Sequence, residues 1–169
     1  MNLKYAAFIV LVIISGSLFL WGLSPFTDYE TRGSDTPITR EEALQKAEIK
    51  LPLPTTAKNV CFHLSGETQN WNLYLLFEAP LEDVEAIINK ELAIYSKNER
   101  LITGTDLPQF KRFPVSPDNA PSAVLESAPK WWSPLSIRNG YFIGSSDPHS
   151  GPRFWVDTDT SQVFFHEHF

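Results

Sequence analysis

A single cysteine, Cys61, rules out an intrachain disulfide, so the fold must be held by its core rather than by covalent cross-links. Basic residues are also scarce. Fourteen Lys and Arg against 20 Asp and Glu leave a formal charge of -6 and a pI near 5.2, with no cationic surface to neutralise phosphates. Nucleic acid is therefore excluded as a partner, and binding to anionic headgroups is disfavoured. No Asn-x-Ser/Thr acceptor occurs, which fits a bacterial envelope protein. The chain also lacks G-x-S-x-G, H-E-x-x-H, P-loop and dinucleotide fingerprints, which lowers the expectation of an enzyme.

What the chain has is apolar and aromatic bulk. Its 12 Phe and 5 Trp argue against disorder over most of its length. The longest apolar run, Ala6 to Leu23 (AAFIVLVIISGSLFLWGL), carries no charge and has no polar stripe, unlike a surface helix. As a helix it would rise about 27 Å, close to a bilayer's hydrocarbon thickness. Lys4 precedes the run, while Asp28, Glu30 and Asp35 surround Arg32 after it, which predicts a cytoplasmic N-terminus. Ser15-Gly16-Ser17 offers a cleavage site that would release a secreted protein, but Leu18 to Trp21 prolong the run and favour a retained anchor. The expectation is a signal anchor or transmembrane helix over 1–23, contacting the membrane through residues 6–23. A flexible tether over 24–37 and one globular domain over 38–169 outside the cytoplasm complete the organisation.

Within the domain, Thr39 and Glu42 form a capping box that opens a helix from Arg40 to about Lys50, ending before Pro52. Residues 60–64 and 71–77 alternate with period two and predict a hairpin. Leu81, Val84, Ile88, Leu92 and Tyr95 keep the spacing of one buried helix face up to about Tyr95. Six prolines between 101 and 139 forbid a long helix or central strand there, and the Trp131-Trp132 pair is expected to pin this loop down through at least one buried ring. Strands are expected near 141–143, 153–157 and 162–169. The sum is an α+β, two-layer domain: an antiparallel sheet of about five strands covered by one or two helices.

Candidate chemistry is confined to a few groups. His166 and His168 would share one strand face, so both imidazoles could meet a divalent metal, with His149 or Asp157 completing the shell. The competing reading is a fraying edge strand whose His and Glu are merely solvated, and no cofactor other than such a metal is expected. Asp157 to Ser161 resembles half of a calcium loop, but Gln162 stands where glycine is needed, and a hairpin turn explains the same residues. Cys61 and His63, two apart on a strand, are too far separated for a direct nucleophile and base pair. Trp132, Trp155 and Tyr141, with Trp71, Trp131 and Tyr74, offer flat rings for a glycan or peptide; Trp71 is assigned inward and Trp155 outward.

Three functions follow. The first is a non-catalytic domain on a single-pass membrane anchor, acting in contact with another envelope protein. The second is an exported metal-dependent hydrolase using His166 and His168. The third is a glycan- or peptide-binding module on an aromatic platform.

Overall fold

The alternating segments come together in one antiparallel sheet, seen in a computed structural model that describes residues 30–67, 70–103, 112–119, 122–144 and 151–168. Its strands are β1 (Glu30–Ile38), β2 (Lys58–Glu67), β3 (Asn70–Glu78), β4 (Phe113–Pro114), β5 (Gly140–Gly144), β6 (Arg153–Asp157) and β7 (Gln162–His168). Their spatial order is β1-β2-β3-β7-β6-β5-β4. The final hairpin thus lays β7 against β3, so both ends of the domain share one core. The α+β class expected from the pattern holds.

One sheet face is covered by two helices, α1 (Arg40–Ala47) and α2 (Leu81–Thr103). At the start of α1 the Glu42 amide donates to Thr39 Oγ1 at 3.2 Å, and the Thr39 amide donates to the Glu42 carboxylate at 2.9 Å, which satisfies two otherwise orphaned donors. The helix ends at Glu48, whose φ of 55° reverses the chain. Ala43 and Ala47 of α1, with Val84, Ile88 and Leu92 of α2, pack on a core that includes Phe62, Leu64, Leu75, Phe77, Phe154 and Phe165. Each fully buried side chain of this size stabilises by about 1.5–3 kcal/mol, which fixes α2 to the sheet. Gly151, at φ +75°, sits against the Tyr95 ring near that helix; a Cβ there would lie 2.7 Å from the ring.

The other face is covered too, which corrects the two-layer expectation. Of the segment expected as a loop over 101–139, the part up to Thr103 belongs to α2. From Arg112 onward the chain runs through β4, a 3₁₀ turn at Pro117–Asn119, α3 (Ser122–Glu126) and a second 3₁₀ turn at Pro134–Ser136. This strap places Val124, Trp132 and Ile137 on Tyr74, Phe142, Trp155 and Phe164. The domain therefore has helices, sheet and strap in three layers.

Two further expectations change. Residues 30–37, read as tether, form most of β1. An edge strand pairs on one side only and needs no apolar alternation, so its polar sequence concealed it. The transmembrane helix is also corrected: among the described residues no helix is long and apolar enough to cross a membrane, and residues 6–23 lie outside the described residues.

Candidate functional site

The register of four strands assembles a row of side chains that crosses the sheet under the strap. His63 on β2 stands opposite Tyr74 on β3, Tyr74 opposite His166 on β7, and His166 opposite Arg153 on β6. Gly33 on β1 and Gly144 on β5 take the next places at either end. Directly opposite residues point to the same face, so four polar or titratable groups lie side by side. Tyr74, His166 and Arg153 are buried, while His63 is half-buried. Two residues along, Leu76, Phe164, Trp155 and Phe142 make a parallel apolar row; on the other side Ser65, Asn72 and His168 make a polar one.

The two histidines of the row have their charge states set chiefly by burial. An Arg153 Nη1 donates to His166 Nδ1 at 3.1 Å and to the Gly151 carbonyl at 3.4 Å. Because guanidinium is only ever a donor, Nδ1 of His166 must be the bare acceptor nitrogen. Burial, with Arg153 and then His168 adding to it, depresses the His166 pKa to about 3, so near neutrality the ring is uncharged and carries its proton on Nε2. That Nε2–H is buried and has no acceptor among the described residues; the same is true of Trp155 Nε1–H. His63 is held below its ordinary pKa by burial, opposed by Asp35.

The strap is fastened over this row by side-chain hydrogen bonds. Tyr74 Oη donates to the Val124 carbonyl at 3.0 Å and lies 2.6 Å from Ser127 Oγ. Trp132 Nε1–H donates to the Phe165 carbonyl at 3.2 Å, and Trp131 Nε1–H donates to Asp35 Oδ1 at 2.8 Å. The Trp132 ring meets Trp155 edge-on at 5.1 Å, Tyr74 at 5.2 Å and His166 at 6.3 Å between centroids. It is the ring around which the site is built.

No family model, curated protein or solved structure matches this chain. The reading of the site therefore rests on its geometry.

The expected ligand and metal residues fall as follows. Trp132 and Trp155 are brought together, but at 3% and 0% exposure they form core rather than a surface platform. Trp155 is out of phase with Phe154 and Val156, as the sequence predicts, but the face it points to is covered by the strap and not exposed. Trp71 packs against the helix-side core as assigned. Tyr141 lies on that helix side, away from the two indoles. Its hydroxyl donates to Glu85, which also pairs with Arg112, and the Arg112 guanidinium lies 4.7 Å above the Tyr141 ring. Burial and then Glu85 raise the Tyr141 pKa. His166 and His168 do share a face, yet Arg153 occupies Nδ1 of the first, and Nδ1 of the second lies 3.2 Å from Asn72 Oδ1. Among the described residues no group of three His, Cys, Asp or Glu is placed to hold a metal ion, and His149 lies outside the described residues. Asp157 Oδ1 accepts from the Asp159 and Thr160 amides at 2.9 and 3.2 Å, so it serves the β6–β7 turn.

Arg153, the residue that orients His166, escaped the sequence reading. Its signal was a cation in phase with Trp155, two residues before it on a strand whose three central residues are apolar. Asp35 was hidden in the supposed tether. An open cleft of about 490 Å³ lies at the start of α1, lined by Ile38, Arg40, Lys58 and Asn59 among others, but the capping box already uses two donors there.

Proposed function

We propose that this domain acts non-catalytically, by holding a small ligand, or one group of a larger partner, against the row under the strap. The observation that carries this reading is His166: buried, fixed by Arg153, and neutral with its proton on Nε2. A base with a pKa of about 3 is far too weak to draw a proton from water or a hydroxyl near neutrality. A buried, oriented N–H is by contrast an effective recognition group, because its partner meets no competition from solvent. The thiol of Cys61 fits the same picture. It is 3% exposed and its pKa is raised by burial and by Asp35, the opposite of an activated nucleophile. His63, Asn72 and His168, all part-exposed, give the row a polar approach from solvent.

The test uses the full-length protein labelled with ¹⁵N and a set of small probes: acetate, acetamide, N-acetylglucosamine and a neutral tripeptide. Saturable shifts confined to the indole, imidazole and amide signals of the row are expected for at least one probe. Hydrolysis of ester, phosphate or glycoside substrates that disappears in His166→Gln would overturn the reading in favour of an enzyme.

A further inference from the structure

Two N–H groups on the strap-covered face, His166 Nε2 and Trp155 Nε1, are buried and lack an acceptor among the described residues. Both are donors and neither can serve as an acceptor: indole nitrogen only donates, and the Arg153 contact has already placed the imidazole proton on Nε2. A buried unsatisfied donor costs about 1–3 kcal/mol, so two on one face are an expensive feature that a ligand oxygen would relieve. They are also close. His166 stands opposite Arg153, and Trp155 follows Arg153 by two positions on the same strand, which makes it the diagonal neighbour of His166. Diagonal pairs in an antiparallel sheet are about 7–8 Å apart at Cα, within reach of two large rings. Both rings also contact Trp132.

Resting on the binding reading above, we propose that this face receives a carboxylate, whose two oxygens accept from His166 Nε2–H and Trp155 Nε1–H beneath the Trp132 ring. Three features favour an anion over a neutral acceptor. The two side chains offer only donors. Wholly buried Arg153 contributes positive potential on the same row, strong enough to oppose protonation of His166. And a carboxylate carries two oxygens that diverge toward two donors, which a spherical halide cannot do.

The strap sets how such a group enters. It is tied down by the Tyr74, Trp131 and Trp132 hydrogen bonds, so the carboxylate reaches its donors only when the strap lifts, and association should be slow for so small a ligand. The carboxylate has two sources, a free small acid or the C-terminus of a peptide, and the test separates them.

The full-length ¹⁵N-labelled protein is titrated with sodium acetate, a tripeptide with a free C-terminus, the same peptide amidated, acetamide and sodium chloride. The Trp155 indole N–H and the His166 imidazole N–H are followed together. Expected is a saturable downfield shift of both with acetate or the free-acid peptide. The amidated peptide and acetamide should bind at least about tenfold more weakly, a difference of about 1.4 kcal/mol. Acetate binding alone identifies a small acid; tighter binding of the free peptide than of acetate identifies a C-terminus. In Trp155→Phe, which keeps the apolar ring and loses only the donor, affinity for the carboxylate probe should fall about tenfold or more. The melting temperature should then cease to rise with acetate. Binding of acetamide or the amidated peptide without binding of either carboxylate would overturn the anion assignment and leave the binding domain standing. Silence from every probe would overturn both. An exchange signal showing bulk-like water at both donors, unmoved by acetate, would assign them to hydration and overturn the inference.

Discussion

Trp131 Nε1–H donates to Asp35 Oδ1 at 2.8 Å, joining the strap to the edge strand across 96 residues of sequence. The next residue, Trp132, turns its own indole N–H toward the middle of the sheet, to the Phe165 carbonyl. Two adjacent residues thus fasten one segment at two points, one near solvent and one buried. The consequences for stability differ accordingly. A hydrogen bond near solvent is exchanged for water at little cost, whereas a buried ring loses packing as well.

Trp131→Phe should therefore lower stability by no more than about 1 kcal/mol, while Trp132→Ala should cost about 3–5 kcal/mol. Urea unfolding with unchanged slope would measure both. Equal losses would mean that the strap is not anchored chiefly through Trp132.

Asp35 acts on its neighbours through its charge. It raises the pKa of His63 against the stronger lowering by burial, and it raises that of Cys61. Asp35→Asn preserves an acceptor for the Trp131 indole and removes the charge. The His63 pKa should fall further below its ordinary value, as read by proton NMR of the imidazole. A rise, or no movement, would show that Asp35 does not face His63 across the β1–β2 pair.

How far this arrangement could be read in advance depended on whether a segment has one neighbour or two. Thr39 and Glu42 announced α1 because a cap is written in local side chains, and Val84, Ile88 and Leu92 announced α2 because a helix has one buried stripe. β7 was visible as an aromatic strand, yet the role of His166 was not. That role needs Tyr74 on one side and Arg153 on the other, and cross-strand partners follow from strand order, which no local pattern encodes. Trp155 misled for a related reason. Alternation told correctly that it opposes Phe154 and Val156, but whether that second face meets solvent depended on a strap of irregular backbone. Polar β1 was concealed because an edge strand is selected against apolar alternation.

Glu167 faces the helices, not the strap, on the strand position opposite Leu73. Burial, then Glu91, raises its pKa to about 7, with Arg153 opposing. For an acid with a raised folded pKa, the unfolded chain releases its proton first as pH rises. Stability from this group is therefore full below about pH 4.5 and is lost progressively up to about pH 7. Glu167→Gln, which mimics the protonated form, should stabilise by about 1–2 kcal/mol at pH 8 and change little at pH 4.5. Paired melting curves at the two pH values test this, and Glu91→Gln should recover part of the gain.

Cys61 gives a reading of how rigidly the strap side is closed. With 3% exposure and a pKa raised by burial, its thiol should react with an alkylating reagent far more slowly than in urea. Because closed sites react only on opening, the rate should rise in Trp132→Ala in proportion to the lost stability, about tenfold for each 1.4 kcal/mol if the opening is global. A native rate equal to the unfolded one would mean that this part of the sheet face is open to solvent.

His166 sets the acid limit of the fold, and its sign is opposite to that of Glu167. Its folded pKa is depressed to about 3 from an ordinary 6.5, so on acidification the unfolded chain takes up a proton that the folded ring refuses. The contribution is fully present above about pH 6.5 and is lost steadily as pH falls toward 3, at up to about 1.4 kcal/mol per pH unit. Between about pH 4.5 and 6.5 this loss runs against the gain from Glu167, so the wild-type profile there should be shallow, with steeper acid loss below. His166→Gln retains an oxygen that can accept from Arg153 and removes the titration. It should lower stability at pH 7 by about 1–3 kcal/mol through altered packing, and flatten the acid limb below pH 4.5. An acid limb of unchanged slope in this variant would show that His166 is protonated freely, and a protonated ring beside Arg153 could not hold the neutral donor geometry on which the binding site depends.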